Sequence, residues 1–456
     1  MKELLLLSGL GMGTLLLEIF NLRKLILPIV IIGLLANVGL CIYDYNQPQE
    51  VYQMLFLDNT ALFITAILSF CTACWFIMNL DLQNDEHTLS DHTSLVLFSL
   101  VGAFIISSYI NLFMLFIGIE ILSIPLYVLA GSNKRNIYSN EAAYKYLIIG
   151  AFISSFLLLG ITFLYGATGS FDIRQIAIGT LSPKLNAQLY LIGVLLIFFS
   201  ISFKASIAPF HFWAPDVYSG SPTRVTAFMV TIVKVAALAA FLRFFIMALG
   251  IVHQVYANVI LTFALLSVVF ANLIGTVQQD VKKLMAYSGI THAGFVFLGM
   301  AYNSPNTSGV ILYYLATYAI TGIALFWVIV ELSKQGINEI DGYKGLAKKN
   351  PLLAFTLILS LLSMAGIPPM AGFFAKYLVL VQVITLGKVW VAIVAIIASL
   401  ISVYYYFKLI ITSVQTAEIE ENDKIKLNLL SKITLVVLNL LIIGMGIFAN
   451  YIINLI

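Results

Sequence analysis

Runs of about 20 apolar residues, the length a helix needs to cross a bilayer, recur along the whole chain with short polar breaks between them. We count fourteen, with cores at 4–20, 25–43, 60–79, 94–110, 112–130, 145–165, 188–208, 225–248, 255–275, 284–301, 309–330, 352–374, 390–411 and 431–454. At about 22 residues each they use roughly 308 residues and leave about 150 for the loops and termini. No loop can hold a folded water-soluble domain, so the pattern predicts an all-α polytopic membrane protein. The first run, MKELLLLSGLGMGTLLLEIF, imitates a secretory signal but lacks a small-residue cleavage site and leads straight into a second span. It is expected to be the first retained helix.

Composition removes the alternatives to this picture. Of 456 residues, 61% are hydrophobic and 10% charged, against about 25% charged in an ordinary soluble protein. So few polar groups could not cover a soluble globule. No G-x-x-x-x-G-K-[ST] phosphate loop occurs, and Gly9, Gly11 and Gly13 lack the G-x-G-x-x-G spacing, so they read as helix-contact residues. Energy for active transport must then come from an ion gradient or from another polypeptide. Cys71-x-x-Cys74 lies inside the third span with no second pair or histidine at metal spacing, and reads with Cys41 as buried small hydrophobes. The five histidines offer no pair suited to axial haem ligation. Neither cofactor nor metal is expected in this chain.

Charge sets the orientation. Loops after odd-numbered spans carry fourteen basic residues, and the opposite side carries Lys2, Arg174, Lys184 and Lys388. The positive-inside rule then places both termini outside the cytoplasm or matrix. The net charge of +3 reflects this distribution and suggests no nucleic-acid partner.

Those loops account for eighteen of the 24 basic residues, and Lys145, Lys204, Lys234, Arg243, Lys376 and Lys408 remain inside or at the ends of spans. A charge there costs about 2.5 to 3.5 kcal/mol on insertion scales, so each is a functional candidate unless it snorkels. Lys408 and Arg243 sit near span ends and read as snorkelling or loop-anchoring residues. Lys145 follows Glu141 by four residues, on one helix face, and an interfacial ion pair is an equal reading there. Lys234 lies near the middle of VTAFMVTIVKVAALAAFLRFF, too deep to snorkel.

Lys204 and Lys376 each neighbour a helix break. Pro209 and Pro215 follow Lys204 in ISFKASIAPFHFWAPDVY, and Pro368 and Pro369 precede Lys376 in LSMAGIPPMAGFFAKYLVL. Proline removes a backbone hydrogen bond, and in lipid the freed carbonyls must face protein or water, so broken spans mark internal hydrated paths. The breaks fall in spans seven and twelve, five apart, which suits two five-helix repeats of opposite orientation with a site near the midplane. Glu120, about nine residues from either end of NLFMLFIGIEILSIPLYVLAG, needs a partner there, and a buried lysine on another span is the best candidate. His211 and His292 fit the same path or, equally, helix packing.

The segments EAAYKYLIIGAF (141–152), LYGATGSFDI (164–173), FKASIAPFHFWAPDVYSGSPTRVTAF (203–228), DVKKLMAYSGITHAGFVFLG (280–299) and LSMAGIPPMAGFFAKYLVL (362–380) resemble the antiporter-like subunits of respiratory complex I. The likeness spans roughly residues 95 to 410 and is strongest to the N-type subunits. The L and M types, and Mrp-type sodium/proton antiporter subunits, share the middle motifs. The modest length, the lack of room for a long lateral helix, and Lys376 where M-type subunits carry glutamate favour N.

The resemblance implies helices 1–3 over 1–93, a first repeat over 94–248 with broken helix 7, a second over 255–411 with broken helix 12, and a loop with helix 14 over 412–456. It implies a subunit that conducts protons while NADH, flavin, iron–sulfur clusters and quinone are held in other subunits. Its neighbours would be lipid, an M-like subunit and the small membrane subunits toward the quinone site. The family's pumping glutamate falls on Glu120, its broken-helix lysine on Lys204, its central lysine on Lys234 and its exit lysine on Lys376. Arg224 stands where this family is expected to have proline. Two other functions remain beside proton pumping: a sodium/proton antiporter subunit using the same lysines, and a scaffold that transports nothing.

Overall fold

A computed structural model of the chain describes all residues except 85–87, 184, 302–305, 418–423 and 456. Lys184, assigned above to the outer side, lies outside the described residues. The chain runs through α1 (Lys2–Ile19), α2 (Ile26–Tyr43), α3 (Asn59–Met78), α4 (Leu89–Ser108), α5 (Leu112–Ala130), α6 (Ile137–Thr168), α7 (Ile173–Gly179) and α8 (Ala187–Lys204). It continues through α9 (Trp213–Gly220), α10 (Thr223–Phe228), α11 (Lys234–Met247), α12 (His253–Gly275), α13 (Val281–Met300) and α14 (Thr307–Ser333). It ends with α15 (Leu346–Lys349), α16 (Pro351–Ala365), α17 (Ala371–Thr385), α18 (Val389–Val414), α19 (Leu429–Ile447) and α20 (Ala449–Leu455).

Every expected span coincides with a helix or a broken pair. Among the described residues, eleven helices are long and apolar enough to cross a membrane. Of the three expected spans outside that set, α1 and α13 carry charged residues in their end turns and the twelfth is split into α16 and α17. Starts are fixed by short polar side chains that accept from the otherwise unpaired first-turn N–H groups: Asp58 for α3, Asn111 for α5, Asn136 for α6 and Asn186 for α8. The Asn136 cap lets α6 begin eight residues before its apolar core. Large apolar side chains such as Ile397 and Leu400 face outward while hydroxyls and lysines are buried, as a lipid-facing surface requires.

The contacts divide the chain into two compact units: Met1–Ser206 with Gly220–Val225 and Ile232–Asn258, and Ile207–Ser219 with Thr226–Thr231 and Val259–Ile456. In the first, α4 packs against α1, α3, α5 and α11. At Gly102 a Cβ would lie 2.3 Å from the Leu122 nitrogen, so glycine is what lets α4 and α5 touch. In the second, α14 is almost wholly buried against α13, α16, α17 and α19.

Outside the apolar runs, besides the short helices α7, α9 and α15, lies an antiparallel hairpin of β1 (Gln49–Val51) and β2 (Leu55–Leu57). It is tied to the rest of its unit by charge. Arg174 donates to Glu50 at 2.9 Å and to Asp172 at 2.7 Å. These bonds hold Glu50 below the usual carboxylate range. Burial works against ionising Asp172, but its bonds from Arg174 and the backbone prevail and hold it below that range too.

Candidate functional site

The first break leaves Lys204 as the last residue of α8. Ser206 then takes a left-handed conformation at φ 59°, Ala208–Pro209 is cis, and helix resumes only at Trp213. Lys204 is 5% exposed. Its Nζ donates to Ser123 Oγ at 2.8 Å and to Tyr127 OH at 3.2 Å, both on α5. It also lies 5.5 Å from the Tyr127 ring centre and 5.7 Å from that of Tyr146 on α6. Glu120 sits one turn before Ser123. Its Oε1 accepts from Ser154 Oγ of α6 at 2.5 Å, and it forms no ion pair with Lys204. The expected lysine partner is therefore replaced by a hydroxyl, while glutamate and lysine share one face of α5.

The second break has another construction. Helix α16 ends at Ala365, Gly366 turns the chain at φ 83°, and Pro368–Pro369 is cis. Lys376, in the second turn of α17 and 6% exposed, folds back so that Nζ donates to the Ala365 carbonyl at 3.1 Å. The last carbonyls of a helix have no partner within it and carry the negative end of its dipole, so a cation is favoured there. The ammonium also lies 5.3 Å from the Phe295 ring centre.

Lys234, 1% exposed, is the first residue after a π-helical turn, Met229–Val233, within a buried helix running from Thr223 to Met247. Such wide turns are rare and gather at functional sites. His211 is 5% exposed in the first broken segment and stacks on Phe212 at 4.5 Å. His292, also 5% exposed, pairs Nδ1 with Tyr314 OH at 2.8 Å and Nε2 with Tyr406 OH at 3.5 Å, and Tyr406 meets Ser288 Oγ at 2.5 Å. His292 also lines a cavity with Thr321, Ser363, Gly372 and Ala375. Its space for water centres is about 10 Å³, enough for one molecule.

Glu141 and Lys145 do form the ion pair their spacing suggests, at 2.7 Å, with both side chains partly exposed. Lys408 is half-buried and reaches Gln279 at 3.3 Å. Arg243 differs from a snorkelling residue. Its side chain is 2% exposed, it pairs with Asp58 at 2.5 Å, and its Nε donates to the Ser107 carbonyl at 2.7 Å. It anchors the start of α3 and the end of α4 from within. Sequence reasoning passed over Ser123, Tyr127, Tyr146 and Ser154. Their signal was spacing: 120, 123 and 127 share one face of α5, and 146, 150 and 154 one face of α6.

Residues 110–402 match the family described as NADH:quinone oxidoreductase/Mrp antiporter, TM. The NADH-quinone oxidoreductase subunit N of Cytophaga hutchinsonii is 39% identical over 99% of this chain and 98% of its own length. That of Flavobacterium psychrophilum is 41% identical over the full length of both. Among solved structures, a chain of respiratory complex I from Thermus thermophilus is similar with a TM-score of 0.85 and 29% identity, covering 99% of this chain and 98% of that one. A chain of the Mrp complex from Dietzia shares the fold, with a TM-score of 0.86 at 18% identity over 100% of this chain and 96% of that one. The chain belongs to the NADH:quinone oxidoreductase/Mrp antiporter membrane-subunit family.

Proposed function

We propose that the chain is a proton-translocating membrane subunit of NADH:quinone oxidoreductase, coupling quinone reduction elsewhere in the complex to proton transfer through Glu120, Lys204, Lys234 and Lys376. The observation that carries the reading is the burial of Lys204, Lys234 and Lys376, the first and last of them at helix breaks, in a chain whose 39% and 41% identical relatives are N-type subunits. Opposite charges attract far more strongly in a buried site than in water. Changing the distance between Glu120 and Lys204 therefore changes the electrostatic energy available to a proton passing through the site.

In this account a proton arrives from the cytoplasmic side at Lys204, passes to Lys234 and leaves by Lys376, with His292 and the small cavity beside it serving the last step. His211 lies by the first break, where it would serve uptake. Glu141 and Lys145 contribute surface charge. Moving one charge against about 150 to 200 mV costs roughly 3.5 to 4.6 kcal/mol, which the change in the Glu120–Lys204 interaction has to supply. Residues 94–248 and 255–411 form the two repeats of opposite orientation, and both termini lie on the periplasmic side of a bacterial inner membrane. The redox groups and quinone belong to partner subunits, with an M-like subunit and the small membrane subunits as neighbours.

Glu120→Gln and Lys204→Met in the assembled complex test this. Protons moved per NADH are expected to fall, while NADH oxidation by a water-soluble acceptor, which needs no membrane arm, stays at the wild-type rate. Unchanged proton stoichiometry in both variants would refute the reading.

A further inference from the structure

The contacts of Lys204 are all with neutral groups. Ser123 spends its own hydroxyl proton on the Ile119 carbonyl at 2.6 Å, which leaves its oxygen lone pairs for the ammonium at 2.8 Å. Tyr127 offers its phenol oxygen at 3.2 Å and its ring face at 5.5 Å, and Tyr146 offers a second ring face at 5.7 Å. The two rings meet edge to face, 4.8 Å between centres. Desolvated ammonium over an aromatic face is held by the ring's quadrupole.

The room for this arrangement comes from a missing side chain. A Cβ at Gly150 would lie 2.1 Å from Tyr127 OH and 2.7 Å from its Cζ. Tyr146, Gly150 and Ser154 form one stripe of α6 facing Glu120, Ser123 and Tyr127 on α5. At one end of this seam Ser154 holds Glu120, and at the other Tyr127 and Tyr146 hold Lys204.

We infer that Ser123, Tyr127 and Tyr146 form a neutral cage that holds Lys204 away from Glu120, that Tyr127 is a positioning residue for proton transfer at Lys204, and that Gly150 is the space that lets Tyr127 close the cage. The inference rests on the proton-transfer role given to Lys204 above. A carboxylate alone would leave a bare buried charge each time it withdrew. The cage receives the ammonium without a counter-charge. Once the proton has left, the Tyr127 hydroxyl can turn and donate to the amine lone pair, so the same groups accommodate both protonation states.

The test uses the assembled complex in inverted membrane vesicles. Proton uptake per NADH and its pH profile are measured for Tyr127→Phe, Tyr127→Leu, Gly150→Ala and the Tyr127→Leu/Gly150→Ala double variant, with Lys204→Met as reference. Tyr127→Leu, which removes both hydroxyl and ring face, is expected to lower coupled proton uptake roughly tenfold and to displace the pH profile. Tyr127→Phe, which keeps the face, should fall between it and wild type. Gly150→Ala should reproduce Tyr127→Leu, and the double variant should be no worse than either single change, because both act through one side chain. Gly150→Ala changes no polar group and tests the same cage if Tyr127→Leu does not assemble. The cage is overturned if Tyr127→Leu or Gly150→Ala pumps with the wild-type pH profile while Lys204→Met does not pump, or if the two single effects multiply. Normal pumping by Lys204→Met would instead overturn the role of Lys204 itself.

Discussion

Lys204 and Lys376 stand at proline breaks of similar sequence, yet their surroundings differ in kind. Lys204 ends its helix and is held by two side-chain hydroxyls and two tyrosine faces, with a carboxylate one turn away. Lys376 lies past its break and folds back onto the Ala365 carbonyl. A carbonyl only accepts, so it serves a protonated lysine alone. Hydroxyls accept or donate, and a neighbouring carboxylate can approach or withdraw. The same sequence device thus yields one adjustable site and one fixed by backbone dipoles. The first is suited to answering a conformational signal, and the second to releasing its proton only when driven to do so.

Arginine substitution at both positions gives the largest expected effect and can break the comparison. Arginine keeps the charge but does not deprotonate, so Lys204→Arg and Lys376→Arg should each abolish coupled proton uptake in an assembled complex. If Lys376→Arg still pumps, Lys376 is only a charge resting on a helix end, and the two sites differ in role as well as construction. Next comes Arg243→Met, which strands Asp58 partly buried. It should destabilise the subunit by about 3 to 5 kcal/mol, read as lost thermal stability or lower membrane content. Whatever complex remains should pump at the normal stoichiometry. A stoichiometry change at full stability would move Arg243 from anchor to proton carrier.

A smaller effect is expected from Gly366→Ala, where φ is 83° and a Cβ would lie 3.0 Å from Lys376 Cδ. Backbone strain of about 1 kcal/mol and a shifted lysine should slow uptake without abolishing it. A silent variant would show that Lys376 does not depend on its fold-back. Smallest is the pH response of the hairpin. Glu50 and Asp172 are held below their unfolded values, so their contribution is complete above about pH 4.3 and is lost as pH falls through the folded values. Hydrogen exchange at Gln49–Leu57 should accelerate only in that acid window, relative to intrinsic rates, and Arg174→Gln should remove the dependence.

The breaks at Pro209 and Pro368–Pro369, and the buried lysines beside them, were legible because proline geometry and the cost of charge in lipid are local properties of sequence. The cage was not. Tyr127 and Tyr146 look like ordinary apolar-run aromatics until α5 and α6 are set face to face, and Gly150 matters only through the ring it admits. Glu120 was expected to meet a lysine and meets Ser154, since hydropathy says a buried carboxylate needs a partner but not which one. Arg243 was placed near a span end by counting residues, yet depth depends on what packs over that end, here Asp58 and the close of α4. The π turn before Lys234 leaves its apolar run unbroken, and the strands of the hairpin at Gln49–Leu57 are too short to register as one.

In the proposed path Lys234 stands between the adjustable lysine and the fixed one, so proton transfer depends on it most directly. Proton uptake per NADH should be measured in vesicles holding the complex with Lys234→Ala, with incorporation of the subunit confirmed in the same membranes. Loss of this subunit's share of the protons, with the subunit present, is the result predicted. Wild-type stoichiometry would contradict the proposed path.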